Sequence, residues 1–265
     1  MSVGAGASLE LEVAVAAVEA AGALLLGHFS AGVRAEWKGD RDPVTVADRE
    51  AESLIRTHIA EAFTDDLVVG EEGAALLEPD VAGRRRWYVD PLDGTVNFLK
   101  GRRRWASSVG FCDESGRMRA GAVRLPLWNE TYAAEAGRGA FCDGTALRAA
   151  DTGSLGDALV LIGALGPERE LEGGGPVEIG ARALSIRVTG STVADLVDVA
   201  AGRADAYWST LPGRWDLAAG LLLVREAGGV ATDLAGREIL STAPTVLAAA
   251  PHLHGELLGL LDQRV

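Results

Sequence analysis

Lysine, histidine and cysteine are scarce in this chain: of 265 residues, two are lysines, four histidines and two cysteines. The cysteines, Cys112 and Cys142, lie in separate apolar stretches with no CxxC or Cys/His pairing. That pattern signals neither a disulfide framework nor a zinc site, and it reads as two buried free thiols. Long apolar runs are missing too. The best candidate, Val13 to Leu26, is broken by Glu19 and is too short and alanine-rich to span a bilayer. The first residues carry no positive segment of the kind that opens a secretory signal, so the cytoplasm is the expected location. Basic charge is also short: Lys+Arg number 25 against 38 Asp+Glu, giving a net charge of −13 and a pI of about 4.8. Nucleic acid and membrane are therefore disfavoured as partners, because phosphate-rich surfaces repel an acidic protein. An acidic protein can still bind phosphate through a metal.

What is present is an ordinary folded composition, 48% hydrophobic and 24% charged, which excludes disorder, collagen-like repeats and coiled coil. Ser8 followed by Glu10 and Glu12 marks a helix start, and apolar residues at helical spacing carry it to about Phe29. A second helix is predicted from Asp48 to Phe63, with His58 a half-exposed helix residue rather than a ligand. Strands are predicted at Leu67–Gly70, Trp87–Val89, Ala106–Cys112, Arg119–Leu125 and Thr131–Ala136, several alternating as antiparallel strands do. A glycine-rich interval, Gly163 to Gly175, is the candidate lobe boundary or exposed loop. Beyond it come a strand at Leu184–Val188, a helix at Thr192–Ala201, a strand at Ala204–Trp208 and a helix at Trp215–Ala227. Strands near Val230 and Val246 and a helix from about His252 close the chain. This alternation suggests a second α/β lobe, so residues 1–150 are expected to form an α+β lobe and 151–265 an α/β lobe.

Carboxylates gather at four places: Asp42-Pro-Val-Thr-Val-Ala-Asp48, Gly70-Glu71-Glu72-Gly73, Asp90-Pro-Leu-Asp93-Gly-Thr95 and Trp215-Asp216. In the third, a strand delivers Asp90 to its end, Pro91 sets φ for a tight turn, and Asp93-Gly94-Thr95 turns the backbone. Two carboxylates across such a turn can point at one spot, where they raise each other's pKa unless a cation sits between them. Oxygen-only ligation favours Mg2+ or Mn2+ over zinc, and phosphoryl transfer is the chemistry that most needs such a site. Asp-Pro and Asp-Gly are also common turn formers, and Glu71-Glu72 alone could be a solvated loop.

Asp90-Pro-Leu-Asp-Gly-Thr-Val-Asn-Phe98 resembles the signature of the inositol monophosphatase family, a group of Mg2+-dependent, Li+-sensitive phosphatases. Trp215-Asp-Leu-Ala-Ala-Gly220 with Glu226-Ala-Gly-Gly229 resembles the second signature. Lys38, Asp42 to Asp48 and Val69 to Glu72 before the first signature, and Gly139 to Gly144 and Gly190-Ser191 with Asp195 between the two, match in order. The resemblance implies a layered α/β/α/β/α fold with the site between two lobes. It implies that Glu71, Asp90 and the carbonyl of Leu92 bind a first metal, that Asp90, Asp93 and Asp216 bind a second, and that a third ion sits near Glu71. Asp48 and Thr95, with Glu71, would be the catalytic set: Thr95 and Asp48 form a pair that orients the attacking water. Asp93, Gly94, Thr95, Ser191, Thr192, Ser209 and Asp216 would contact the substrate, with helices starting near Thr95 and Ser191 adding their N-terminal dipoles to the phosphate. The implied activity is hydrolysis of a small polyol, cyclitol or sugar phosphate by a metal-activated water, in a homodimer.

Two departures bear on the substrate. Inositol-specific members carry a glutamate seven residues before the Trp-Asp aspartate, where it contacts ring hydroxyls; here that residue is Ser209, shorter and neutral. Relatives usually have a glycine, a proline and an aromatic where this chain reads Gly101-Arg102-Arg103-Arg104-Trp105. The arginines either pair with a second phosphate or a carboxylate of the substrate, or lie solvated or in a dimer interface. The second fits Arg102 and Arg103 better, and Arg104 stays open. Fructose-1,6-bisphosphatase, histidinol-phosphate phosphatase and 3′-phosphoadenosine 5′-phosphate phosphatase are the rival activities. A non-catalytic regulatory protein on the same fold is the rival of a different class, and it predicts loss of a ligand or of the water-activating pair.

Overall fold

The computed structural model describes residues 6–39, 42–73, 83–163, 175–213 and 215–262. Helix α1 (Leu9–Ala31) starts where expected: the Ser8 side chain accepts the Leu11 N–H, Glu10 and Glu12 lie in the first turn, and Gly32 ends it at φ 76°. A short hairpin, β1 (Glu36–Gly39) and β2 (Asp42–Val44), leads into α2 (Val46–Ala62). This helix begins before Asp48 because Thr45 caps it. Thr45 Oγ1 takes the Ala47 and Asp48 amides while the Asp48 carboxylate takes the Thr45 amide, a reciprocal capping box. His58 is half-buried, and its Nδ1 lies 3.0 Å from the Leu54 carbonyl, as a helix residue rather than a ligand.

Seven strands follow in sheet order: β3 (Leu67–Gly70), β4 (Arg86–Asp93), β5 (Ala106–Cys112), β6 (Met118–Leu125), β7 (Glu130–Glu135), β8 (Gly139–Cys142) and β9 (Thr145–Ala146). Only β3 and β4 run parallel. A one-turn helix, α3 (Thr95–Leu99), lies between β4 and β5. The tight turn expected at Pro91 is instead a bulge within the strand: Asp90 faces Ser108 and Asp93 faces Ala106, so three steps on β4 match two on β5. Proline lacks the N–H that a regular ladder would use, and a bulge lets the strand pass it and re-aim the next side chains.

The second sheet runs in the order β11 (Ser185–Arg187), β10 (Leu159–Ile162), β12 (Ala206–Ser209), β14 (Val246–Ala249), β13 (Val230–Thr232). The first three are parallel and β14 is antiparallel to both neighbours. The residue-150 division falls between β9 and β10. Of the interval from Gly163 to Gly175, residues 164–174 lie outside the described residues, and α4 (Gly175–Arg182) begins at its end. Two further helices, α5 (Thr192–Ala200) and α6 (Leu217–Glu226), and the last, α7 (Pro251–Asp262), complete the layers.

These layers are α/β/α/β/α. The apolar faces of α1 and α2 bury Leu25, Ile55 and Ile59 against Trp87, Val89 and Val109 on one face of the large sheet. On its other face lie α5 and α6, sharing a core of Leu196, Leu221, Tyr88 and Tyr207 with the small sheet. The far face of the small sheet is closed by Ile179 of α4 and Leu253 and Leu257 of α7 around Trp208. Burying each large side chain contributes roughly 1.5–3 kcal/mol. Gly110 and Gly121 face each other across β5 and β6, and α6 rests on them. A Cβ on Gly110 would sit 2.6 Å from the Ala218 Cβ, and one on Gly121 2.9 Å from the Ala219 Cα. Because Ala218 and Ala219 lie two and three residues after Asp216, this glycine pair sets the depth at which Asp216 enters.

Both cysteines are free thiols, but only Cys112 is fully buried; Cys142 is half-buried, on a strand next to the end of the large sheet. Burial pushes the Cys112 thiol up to about 12. Native protein should therefore give one equivalent of labelling with a small thiol reagent, at Cys142, and a second only on unfolding. Gly110→Val and Gly121→Val should each cost about 1–3 kcal/mol by overpacking, whereas Gly27→Ala, within the C-terminal part of α1 with open space around it, should raise the melting temperature.

Candidate active site

The bulge of β4 splits its two aspartates between two neighbourhoods. Asp90 lies on the face shared with Tyr88, toward α5 and α6, and its Oδ1 accepts the Leu92 amide at 3.0 Å. Asp216, the first residue before α6, hydrogen-bonds Asp90 and Thr192 through its carboxylate and accepts the Gly213 amide at 2.9 Å. Asp93 turns instead into the start of α5: Ser191 Oγ and the Val193 N–H donate to its Oδ2, and the Thr192 N–H donates to Oδ1 at 3.2 Å.

All three carboxyls are buried, and their affinities for protons rise together. Burial first, then Glu71, Asp93 and Asp216, hold Asp90 well above the usual carboxylate range. Burial and the Asp216 charge push Asp93 up to about 8, against the pull of Ser191 and Val193. Asp216 is raised by burial. Among the described residues, no three carboxylates, histidines or cysteines close round a single point as a finished ligand set. Asp90 still feels the charges of Asp93 and Asp216, and Asp93 has in addition three donors of its own from the start of α5. The donor chemistry nonetheless fits a hard divalent cation. It is all oxygen, with mutual repulsion that a cation relieves, and no arginine or lysine pairs with Asp90, Asp93 or Asp216 among the described residues. Ser108, directly across the ladder from Asp90, buries a hydroxyl that has no hydrogen-bond partner.

Asp48 and Thr95 do meet. Thr95 Oγ1 lies 3.1 Å from Asp48 Oδ1 and 3.1 Å from the Leu92 carbonyl, so its single hydrogen has two acceptors. The other oxygen of Asp48 is already held by Thr45, through its amide at 2.9 Å and its hydroxyl at 2.5 Å. Burial raises the Asp48 pKa and these donors work against it. Glu71 begins the turn after β3, its amide donating to the Val89 carbonyl. Beneath that turn lies Glu52, a buried carboxylate that accepts the Glu72 amide at 2.8 Å and pairs with Arg56.

Gly94 starts α3 at φ 90° and packs against the Arg104 and Gly190 carbonyls. The dipole expected to reach a phosphate from near Ser191 is directed at Asp93, since Ser191, Thr192 and Val193 all donate to it. Ser209 is likewise not an open contact: it is fully buried, and its hydroxyl bonds Tyr207 and accepts the Leu211 amide at 3.2 Å. Tyr207 in turn bonds Thr192 Oγ1 at 2.9 Å, so a hydroxyl chain runs from Ser209 through Tyr207 and Thr192 to Asp216. Thr45, Glu52, Tyr207 and Asn97 were absent from the predicted site. The threonine directly before a helix-starting Val-Ala-Asp is the one legible signal among them, as a capping-box residue. Among the described residues, no helix is long and apolar enough to cross a membrane.

The model of the inositol monophosphatase family matches residues 8–265. An inositol-1-monophosphatase of Rhizobium meliloti is 38% identical, over 96% of this chain and 97% of its own. A Thermotoga maritima protein named fructose-1,6-bisphosphatase/inositol-1-monophosphatase is 33% identical over 96% of both chains. The crystal structure of the extragenic suppressor protein suhB of Bartonella henselae superposes with a TM-score of 0.88 at 32% identity, covering 97% of this chain and all (100%) of that one.

Thr45 serves two ends, capping α2 and fixing Asp48. Thr45→Val should therefore lower stability by about 1–2 kcal/mol, read by denaturant unfolding, and Thr45→Ser should restore it.

Proposed function

This chain belongs to the inositol monophosphatase family, and on that premise we propose that it is a Mg2+-dependent phosphomonoesterase acting on a small polyol, cyclitol or sugar phosphate. The observation that carries the reading is the Asp48–Thr95 pair set beside the Asp90–Asp93–Asp216 carboxyls. Glu71, Asp90, Asp93, Asp216 and the Leu92 carbonyl would hold two or three Mg2+ ions, with Mn2+ as a substitute. Bound there, the metal would neutralise charge on the phosphate and acidify the attacking water.

The chain's own residues supply the rest. With Oδ2 fixed by Thr45, Asp48 presents Oδ1 to Thr95. Thr95 can pass its hydrogen to Asp48 as it accepts one from the attacking water, so the proton ends on a buried carboxylate whose affinity for it is already raised. Asp93, held by α5, orients the substrate's hydroxyls, and the amides of Gly94 and Thr95 donate to phosphate oxygens. Ser209 acts on specificity from beneath, through Tyr207 and Thr192. We propose that it works as a homodimer, on the family resemblance.

Arg104 does not serve a second phosphate: its Nε and Nη2 are committed to Asp195 and Asp198. Arg103 donates to the Leu127 carbonyl, and Arg102 is exposed. A monophosphate is therefore the favoured class over a bisphosphate. The regulatory alternative draws on the suppressor name of the Bartonella henselae relative. It requires a lost ligand or a broken Asp48–Thr95 pair, and the chain retains both the ligand candidates and the pair.

A panel of polyol, sugar and nucleotide phosphates assayed with Mg2+ should release phosphate, and release from none of them would refute the proposal. Asp93→Asn should lower kcat on the order of a hundredfold or more, and tens of millimolar Li+ should inhibit the wild type. In the absence of substrate, Mg2+ at a hundred times its Kd should add about 2.7 kcal/mol of stability, a gain that Asp93→Asn should blunt.

A further inference from the structure

The arginine at position 104 is the residue that the proposed reaction leaves unexplained, and its surroundings lead straight to Asp93. Its guanidinium donates twice to Asp195 Oδ1, from Nε at 3.2 Å and Nη2 at 2.7 Å, and Nη2 reaches Asp198 Oδ2 at 2.7 Å. Asp195 and Asp198 lie three residues apart on α5, on one face, and both carboxylates are shielded from solvent. Thr189 Oγ1 also donates to Asp195 Oδ1, at 2.6 Å.

The backbone repeats the connection. Asn97 Nδ2, on α3, stands 2.7 Å from the Arg104 carbonyl, 3.0 Å from that of Thr189 and 3.3 Å from that of Gly190. A Cβ on Gly94 would meet the Arg104 carbonyl at 3.0 Å and the Gly190 carbonyl at 3.3 Å. Arg104 thus fastens the segment after Asp93 to the segment before α5 at both side chain and main chain. The first turn of α5 then presents Ser191 Oγ and the Thr192 and Val193 amides to Asp93.

We propose that Arg104 is a positioning residue: by holding Asp195 and Asp198 it sets where the first turn of α5 meets Asp93, and so aims the Asp93 carboxylate at metal and substrate. Lysine could replace the charge but not the fork that reaches both aspartates at once. Neutralising Arg104 leaves the shielded Asp195 without its cation and Asp198 with Arg203 alone, and α5 relieves that by shifting or by admitting water. Either response moves the donors on which Asp93 depends. The far end of the same face is held independently, since Arg203 Nε pairs with Asp198 Oδ1 at 2.8 Å, so the loss falls on the first turn.

The proposal rests on reading Asp93 as a metal ligand, and the test separates the two. Mn2+ binding to wild type, Arg104→Gln and Arg104→Lys is measured by electron paramagnetic resonance without substrate, with amide hydrogen exchange at Thr192 and Val193 in parallel. We expect Arg104→Gln to bind Mn2+ about 10–100-fold more weakly, to exchange those two amides faster, and to raise KM more than it lowers kcat. Arg104→Lys should recover part of each. Wild-type binding that Arg104→Gln preserves, with unchanged exchange, overturns the positioning role even if the melting temperature falls. No Mn2+ binding by the wild type overturns the ligand reading and the proposal with it. If Arg104→Gln fails to fold, Asp195→Asn, which weakens the arm of the fork at the first turn of α5, must show the same weakened binding or the proposal fails.

Discussion

Asp93 is the point at which the two sheets are tied together by charge. It ends a strand of the large sheet, yet its oxygens are satisfied by the first turn of α5, a helix of the layer between the sheets. A carboxylate at a helix start gains from the unpaired N–H groups and from the local positive potential of the helix. The gain here is offset by burial, which pushes Asp93 up to about 8 in spite of its three donors. The start of α5 meets the large sheet through this contact. The position of α6 follows from the glycine pair beneath it, which brings Asp216 to Asp90. Three carboxyls from two layers are thereby gathered at one seam, and no one layer could assemble them.

The arginines make the same point from the other side. Asp195 and Asp198 are matched by Arg104 and Arg203, Glu52 by Arg56, and Asp66 and Glu10 by Arg85. Each of these pairs holds structure: a helix face, a turn, a strand end. Arg104 brings Asp195 down while burial pushes it up, with a net rise to about 6. Asp90, Asp93 and Asp216 are treated differently, for their partners are neutral donors and one another. Neutral donors lower the cost of a buried carboxylate but do not cancel its charge, so the cluster keeps a demand for protons or cations that the rest of the acidic surface does not have.

The long elements were legible because their own residues announce them. Ser8 with Glu10 and Glu12 marked α1, and alternating runs marked β5 to β7. The elements that went unread are short or glycine-rich: the β1–β2 hairpin, β8 and β9, β10 and α4. Four residues such as Leu159–Ile162 carry too few turns of pattern to declare a strand, and they become one by pairing with β11 and β12, which lie later in the chain. The same limit applied at the site. Motif residues placed Asp48 and Thr95 correctly as partners. That the start of α5 would face Asp93 depends on bonds spanning 98 to 100 residues, and no local pattern encodes such a meeting. Pro91 was read as a turn because its fixed φ suits one, whereas the strand keeps its course by taking up one extra residue.

Ser209 shows how a residue can bear on the site from full burial. The small sheet brings Ser209 and Tyr207 together at full burial, and Gly163 closes over them: even a Cβ there would collide with the Tyr207 hydroxyl and come within 2.7 Å of the Ser209 Cβ. A glutamate at 209, as in inositol-specific members, is longer by two methylenes' reach and carries a charge, so it could not occupy the serine's place beside Tyr207. It would have to turn outward toward substrate, and Tyr207 would lose a partner. With serine, Tyr207 keeps Ser209 and Thr192 at once, and Thr192 keeps Asp216. Serine at 209 therefore gives Tyr207 a buried, neutral brace behind Thr192 where a glutamate would place a charge.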